Sequence, residues 1–421
     1  MTGPQAAAFA DETDTRAPLA HLRVLDLSRI LAGPWSTQAL ADLGAEVIKV
    51  ERPGQGDDTR GWGPPFLKDK NGKDTREAAY YLAANRGKKS LALDISTPEG
   101  QEIVRKLAAS ADILVENYKV GGLRKYGLDY ESLSAVNPRL IYCSITGFGQ
   151  TGPYRDRAGY DFLLQGMGGL MSVTGEPDDV PGGGPVKVGV AITDLMTGLY
   201  ATIAILAAVA AREHTGRGDH IDLALLDVQV AMLANQAMNY LASGTPPGRL
   251  GNAHPNIVPY QAFPTADGHM ILAIGNDRQF ARFCHVAGYP ELAADPRYAT
   301  NEARVQNRAE LVALIADILK TRTTAQWMAD LEREAVPCGP INRIDQVFAD
   351  PQVIARGMRI DLPHPLFGTV PGVKSPINYR NAAMNYGRPA PLLGADGDGI
   401  LRELGLDDRS IEDLRARGVI G

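Results

Sequence analysis

Short apolar segments alternate with longer amphipathic ones through the first half of this 421-residue chain. Apolar residues recur at 22–28 and at 46–51, and between these segments Pro34 suits the first turn of a helix and Gly44 suits its end. This order predicts a strand, a helix and a second strand, joined by the right-handed crossover of parallel strands. Open sheets of this kind bind ligands in the crevice at the carboxyl ends of their strands.

The same alternation continues to residue 225 and predicts an α/β fold with a large Rossmann-like domain and a parallel sheet. An apolar helix is predicted over 195–211, and its small residues favour a buried helix over a membrane span. The other strands predicted for this domain are 90–94, 113–116, 140–145, 187–192 and 220–225.

The pattern then changes, and it predicts a second, smaller domain of the α+β class. We expect the large domain to comprise 19–227 and 335–421, and we expect 228–334 to form a linker and the small domain. Two domains agree with the chain length, because single cores stop growing at roughly 250–300 residues. Residues 1–18 have neither the cationic start nor the apolar core of a signal peptide, so they are predicted to be a flexible tail of a cytoplasmic protein.

Composition removes several classes of function. A net charge of −6 argues against a nucleic-acid partner. The three cysteines are far apart and the seven histidines form no HxH or HxxxH pair, so neither a disulfide framework nor a metal site is predicted. The first turn after a strand, at 28–34, has only one of the three glycines of a dinucleotide-binding fingerprint, which argues against an NAD- or FAD-dependent enzyme.

Charged residues lie at the predicted strand ends, where a ligand with several phosphates needs cations. Arg29 follows the first strand, Arg52 follows the second, and Lys88 precedes the third. Asp194 lies between a predicted strand and the apolar helix, where a carboxylate is expected to stay ionised. Such a carboxylate is either an N-cap or an exposed nucleophile, and the spacing alone favours the cap.

Six motifs, in order between residues 22 and 379, resemble those of the class III CoA-transferases, the family of formyl-CoA transferase and carnitine CoA-transferase. They are LAGP at 31–34, GAEVIKVER at 44–52, NRGKKS at 85–90, VENY at 115–118, GFGQTGP at 147–153 and DLMTG at 194–198. Within the family, the chain looks most like succinyl-CoA-dependent transferases of the succinate–hydroxymethylglutarate or glutarate type. That likeness is carried by GDDTR at 56–60, WGPPF at 62–66, IYCSITG at 141–147, IVPYQAF at 257–263 and GPIN at 339–342.

The resemblance assigns Asp194 as the carboxylate that accepts the acyl group. This replaces the interpretation of Asp194 as only a helix N-cap. It implies that Asp194 forms a mixed anhydride with the acyl group and then a thioester with coenzyme A. Coenzyme A and its acyl esters are substrates in this chemistry, and no metal or tightly bound cofactor is expected. The resemblance also implies a coenzyme A site formed by Arg29, Ala32, Arg52, Lys88, Asn117 and Lys125.

The resemblance further implies an interlocked-ring homodimer, in which the large domain of one subunit and the small domain of the other share each site. A dicarboxylate such as glutarate needs a cation for its distal carboxylate. Arg249 and His254 lie in a segment rich in glycine and proline before the motif at 257–263, so we predict that they bind the substrate there.

Two other functions stay open. The α-methylacyl-CoA racemases are similar to this chain but use a His–Asp pair in a GHD motif, where this chain has Gly159, Tyr160 and Asp161. A tyrosine with a pKa of about 10 is a poor base at neutral pH, which disfavours the racemase. A non-catalytic CoA- or nucleotide-binding protein is the other alternative. Leu31 stands where formyl-CoA transferases carry glutamine, and this difference disfavours formate and oxalate as substrates.

Overall fold

The structure, a computed structural model, describes residues 17–421 apart from the side chain of Arg76. Most of the predicted tail at 1–18 therefore lies outside the described residues. The described chain forms two compact units. The first comprises the described residues up to 169 together with 188–234 and 354–421, and the second comprises 170–187 and 235–353.

The strands are numbered in chain order. They are β1 (Arg23–Asp26), β2 (Glu46–Glu51), β3 (Phe66–Lys68), β4 (Asp74–Ala78), β5 (Lys88–Ala92), β6 (Ile113–Glu116), β7 (Ile141–Thr146), β8 (His220–Ala224), β9 (Tyr260–Pro264), β10 (His269–Ala273), β11 (Cys338–Pro340), β12 (Arg359–His364) and β13 (Gly368–Val373).

The α-helices are numbered in the same way. They are α1 (Ala32–Asp42), α2 (Ala79–Ala83), α3 (Pro98–Ser110), α4 (Tyr130–Val136), α5 (Asp161–Met167), α6 (Leu170–Val173), α7 (Ile192–Thr215), α8 (Leu225–Ala231), α9 (Ala234–Ser243), α10 (Asp277–Ala287), α11 (Asn301–Gln306), α12 (Arg308–Leu319), α13 (Thr324–Arg333), α14 (Ile344–Ala349), α15 (Pro351–Ala355), α16 (Gly397–Glu403) and α17 (Asp408–Ala416).

A six-stranded parallel sheet with the order β5-β2-β1-β6-β7-β8 forms the centre of the first unit and confirms the predicted α/β class. Helices cover both faces, so Val24 of β1 packs with α1 and α7 while its neighbour Leu25 packs with α3, α16 and α17. The chain order reverses between β1 and β6. Side chains that follow these two strands therefore lie at the crevice where such sheets bind ligands.

The predicted strand at 187–192 is wrong, because residues 187–191 are irregular and Ile192 is the first residue of α7. The backbone N–H of Thr193 donates to the Asp161 carboxylate at 2.7 Å, which starts the helix where the apolar run was expected to remain extended. Of the described helices, α7 alone is long and apolar enough to cross a membrane by length and composition. In this structure its small residues pack against α1.

The contacts between α1 and α7 show how the two helices run relative to each other. A Cβ atom on Gly198 would lie only 2.7 Å from the carbonyl oxygen of Ala32, so glycine is required for this approach. One turn further along both helices, the hydroxyl groups of Ser36 and Thr202 are 3.0 Å apart. The two helices are therefore parallel, and Asp194, one turn before Gly198, lies beside the turn that leads into α1.

The second unit is built on the antiparallel sheet β11-β10-β9, with Phe263, Phe280 and Trp327 in its core. Its boundaries differ from the predicted 228–334. Backbone hydrogen bonding of Gly251 to Gly175 ties 170–187 to this unit, and β11 pairs with β10, so residues after 334 also belong to it. Both ties join residues far apart in sequence, which is why the local pattern did not show them.

Candidate active site

Asp194 lies in the first turn of α7, and its carboxylate is not the cap of that helix. The residue at the N-cap position, Ala191, offers no side-chain acceptor. Asp161, the first residue of α5, supplies the cap instead, because its Oδ1 accepts the backbone N–H groups of Thr193 at 2.7 Å and Asp194 at 3.3 Å. This leaves the Asp194 carboxylate free of the capping role that the spacing favoured.

The environment of Asp194 does not keep it ionised as the sequence suggested. Burial of the side chain and the nearby negative charge of Asp161 raise the pKa of Asp194 to about 7. These effects outweigh the favourable field of the helix N-terminus, which contributes only about 0.3–1 kcal/mol at exposed sites. A carboxylate of higher pKa is a better nucleophile once it is ionised, so this position suits covalent chemistry.

Tyr80 belongs to the same region and was missed in the sequence. Burial and then the charges of Asp194, Asp161 and Asp57 raise the pKa of Tyr80, so its phenol stays protonated and can donate a hydrogen bond there. Trp62 packs edge-on against Tyr80, with 5.2 Å between the ring centroids. The signal for Asp161 was its place in the Gly159–Asp161 motif, whereas nothing in the local pattern marked Tyr80.

A cavity of about 1120 Å³ opens at the carboxyl ends of β1 and β2. Arg29 and Arg52 are both exposed on its wall. The Arg29 guanidinium is 2.9 Å from the carboxylate of Asp58, and both side chains are about half exposed. The cavity is large enough for a nucleotide-sized ligand, and its two arginines suit a phosphorylated one.

Lys88 differs from its predicted place in the coenzyme A site. Its ammonium group is fully buried and lies 3.0 Å from the Asp26 carboxylate. It also donates to the carbonyl oxygen of Pro34 at 3.0 Å and to Asn85 Oδ1 at 2.9 Å. With these partners, Lys88 joins β5 to β1 beneath the crevice, and it is not among the described residues that line the cavity.

The other predicted coenzyme A residues lie near the cavity in different ways. Ala32 is buried at the start of α1, with its carbonyl group against α7. The side chain of Asn117 hydrogen bonds to the backbone of Arg29. Lys125 is exposed, and its ammonium group lies 4.6 Å from the centre of the Tyr126 ring, which lines the cavity. Arg29 and Arg52 are thus the two predicted residues that line it directly.

Arg249 and His254 both lie in the second unit. The Arg249 guanidinium pairs with the Asp178 carboxylate and donates to the carbonyl oxygen of Glu176 at 3.1 Å. His254 accepts a hydrogen bond from the backbone of Asn256 through Nδ1 at 3.1 Å. Burial and the charge of a neighbouring arginine lower the pKa of His254, so it carries no charge at neutral pH. A role for His254 as a cation is therefore not supported.

Comparison with known proteins places these features in context. The model of CoA-transferase family III matches residues 19–397. The chain is 54% identical over 406 residues to succinate–glutarate CoA-transferase of Agrobacterium fabrum, covering 96% of this chain and 99% of that protein. It is 47% identical over 404 residues to succinyl-CoA:glutarate CoA-transferase of Homo sapiens, covering 96% and 90%. A crystal structure of a CAIB/BAIF family protein from Brucella suis superposes with a TM-score of 0.81 at 55% identity, covering 92% of this chain and 99% of that one.

Proposed function

Because the chain belongs to CoA-transferase family III, we propose that it transfers coenzyme A from succinyl-CoA to glutarate, with Asp194 as the covalent nucleophile. The family uses acyl-CoA and carboxylate substrates. The observation that carries the role of Asp194 is its partly buried carboxylate, free of capping, beside the turn that leads from the arginine-bearing cavity into α1. The relatives from Agrobacterium fabrum and Homo sapiens support the choice of the two acids.

The reaction proceeds through two kinds of covalent intermediate. An oxygen of the Asp194 carboxylate attacks the thioester carbon of succinyl-CoA, the carbon–sulfur bond breaks, and the thiolate leaves with the electron pair. The thiolate then attacks the carbonyl carbon of Asp194 and releases succinate, which leaves an aspartyl-CoA thioester. Glutarate attacks this thioester to form a second anhydride, and the released thiolate attacks the glutaryl carbon. Glutaryl-CoA departs, and Asp194 returns as a carboxylate.

Trapping of the intermediate tests this proposal. The enzyme is incubated with succinyl-CoA alone and then with hydroxylamine, which converts an activated aspartyl group into a hydroxamate that mass spectrometry locates. We expect the mass change on the peptide that contains Asp194. Formation of glutaryl-CoA with no modification of Asp194 would contradict the covalent role.

Deuterium exchange at the α-carbon separates the racemase alternative. A racemase exchanges the α-hydrogen of its acyl-CoA substrate with deuterated water, whereas a transferase does not require that exchange. Tyr160 is 63% exposed, and the carboxylate of Asp161 is engaged with α7, so the motif at this position offers no evident base. Deuterium exchange without transfer would favour the racemase.

Activity is expected to rise with pH through the pKa of Asp194. Only the ionised carboxylate attacks, and burial with the charge of Asp161 raises this pKa to about 7. The logarithm of kcat/KM for succinyl-CoA should therefore rise with a slope near one below pH ~7 and level off above pH ~8. A profile that stays flat down to pH ~5 would contradict the raised pKa.

Asp58→Asn is expected to lower the KM for succinyl-CoA, because Asp58 neutralises Arg29 when no ligand is bound. Both partners are about half exposed, and such pairs contribute only about 0–1 kcal/mol, so the expected change is roughly two- to fivefold. Salt weakens exposed pairs, and the change should therefore shrink at high ionic strength. Asp58→Glu is the control that retains the charge. An unchanged KM at low salt would show that Asp58 does not weaken the binding of succinyl-CoA by Arg29.

Arg249→Ala is expected to lower kcat/KM for glutarate roughly ten- to hundredfold and to affect a monocarboxylate of similar length much less. The proposal is that the distal carboxylate of glutarate replaces Asp178 as the partner of Arg249. Asp178→Asn is the matched control, since it removes the internal partner and leaves the cation. Equal losses for both acids after Arg249→Ala would reject the role.

A homodimer accounts for an apolar face that the described residues of one chain leave exposed. Leu199, Tyr200 and Ile203 of α7 are exposed by 44%, 39% and 62%. Exposed apolar surface of this kind is typical of an interface. Light scattering during size-exclusion chromatography should give twice the chain mass of 45.1 kDa. A monomer at assay concentration would contradict the dimer.

A further inference from the structure

We propose that Asn117 is a positioning residue that holds the turn at 28–30 so that Arg29 faces the cavity, with the Lys49–Asp57 ion pair holding the same turn from the other side. This inference rests on the proposed function, because it assigns the cavity to acyl-CoA. Asn117 is not among the described residues that line the cavity. Asn117 therefore acts through the backbone of Arg29.

Asn117 binds both polar backbone groups of Arg29. Its Nδ2 donates to the Arg29 carbonyl oxygen at 2.7 Å, and its Oδ1 accepts the Arg29 backbone N–H at 3.0 Å. The side chain thus replaces the two partners that a neighbouring strand would supply. The guanidinium of Arg29 is left to point into the cavity, where the exposed carboxylate of Asp58 pairs with it.

The opposite side of the turn is held by buried charges. The backbone N–H of Ile30 donates to the two oxygens of Asp57 at 3.2 and 3.3 Å. The Lys49 ammonium lies 2.9 Å from Asp57, both side chains are 1% exposed, and Lys49 also donates to the carbonyl oxygen of Ser28 at 2.8 Å. The turn is therefore held at three successive residues by side chains from β2, from the segment after β2 and from the end of β6.

The backbone conformation shows that these contacts are needed. Ile30 has a φ of 73°, in the left-handed region that β-branched residues rarely adopt. Such strain persists only where surrounding contacts over-determine the conformation, and it is found at functional sites. Without Asn117 and Asp57, the turn would relax, and Arg29 would change its position relative to Asp194.

A double-mutant cycle separates positioning from a general structural role. Arg29→Ala, Asn117→Ala and the double variant are compared by the Kd for coenzyme A, measured by calorimetry, and by the KM for succinyl-CoA and for glutarate. Arg29→Ala should weaken coenzyme A binding roughly tenfold or more, as expected for loss of a charge-assisted contact. Asn117→Ala should weaken it by a similar factor, and the double variant should bind no more weakly than Arg29→Ala alone. The KM for glutarate should change less than about twofold.

Matched variants test the alternative that replacing any asparagine that bonds to backbone also weakens coenzyme A binding. Asn137 also bonds to backbone, donating to the carbonyl oxygens of Ala108 and Ala111, and it lies away from the cavity. Asn137→Ala should lower stability without changing the Kd for coenzyme A. Asn117→Asp retains the acceptor for the Arg29 N–H, so it should restore part of the affinity even if Asn117→Ala folds poorly.

The outcomes distinguish the two proposals. Multiplicative losses in the double variant would overturn the positioning role, because Asn117 would then act independently of Arg29. Unchanged coenzyme A binding by Arg29→Ala would overturn the assignment of the cavity and the positioning role with it. Tight coenzyme A binding with the expected coupling but no transfer to glutarate would support positioning while contradicting the proposed acids.

Discussion

Asp194→Asn is expected to abolish transfer of coenzyme A and, at the same time, to make the protein more stable above neutral pH. An amide cannot form the anhydride, and loss of a covalent nucleophile lowers turnover by roughly 10⁴-fold or more. Stability should change in the opposite direction because the native site disfavours the ionised carboxylate, whose pKa is raised to about 7 by burial and by Asp161.

The sign of the stability change follows from proton binding. The folded protein binds more protons at Asp194 than the unfolded chain between pH ~4 and pH ~7, so the wild-type protein loses stability as the pH rises through that range. The asparagine variant lacks this loss and should gain up to about 4 kcal/mol relative to the wild type at pH ~8. Urea unfolding at pH ~5 and pH ~8, together with turnover, measures both effects.

Asp227→Asn provides the control, since Asp227 is an exposed aspartate in the first turn of another helix, α8. It should leave turnover and the pH dependence of stability close to those of the wild type. Near-normal turnover of Asp194→Asn would remove the covalent mechanism. A variant that is inactive but gains no stability at pH ~8 would contradict the buried environment of the carboxylate.

Lys88→Met is expected to destabilise the protein by about 3–5 kcal/mol, because it leaves Asp26 buried without its nearest cation. Burial alone would raise the pKa of Asp26, yet the charges of Lys88 and Lys49 lower it to about 2. Burial in turn lowers the pKa of Lys88 to about 8, although the charge of Asp26 opposes this effect. Each charge thus stabilises the other, and removing one leaves the other buried without its partner.

Control variants separate this structural role from binding of coenzyme A. Lys89→Met removes a neighbouring ammonium that is 26% exposed and pairs with Glu46, so it should cost at most about 1 kcal/mol. The double variant Asp26→Asn with Lys88→Met should recover part of the lost stability. If Lys88→Met folds with normal stability but has a much higher KM for succinyl-CoA, Lys88 binds the substrate as the resemblance implies.

The sequence by itself determined the features that depend on neighbouring residues. The alternation of apolar and polar positions predicted β1, α1 and β2, because each strand or helix must bury one face of its own segment. The order of the motifs identified the family and predicted Asp194 as its nucleophile. Arg29 and Arg52 were placed at the cavity because strand ends of a parallel sheet share one edge.

Only the tertiary structure decided the environment of those residues. Asp161 caps α7 from 33 residues away, and this contact places Asp194 in the first turn of the helix. Lys88 was predicted to bind a ligand, but its partner Asp26, 62 residues away, lies beneath the crevice. Asn117 bonds to Arg29 across 88 residues. Burial and the identity of a partner depend on which distant segments pack together, and they set the pKa and the role of each charge in ways that a local pattern does not contain.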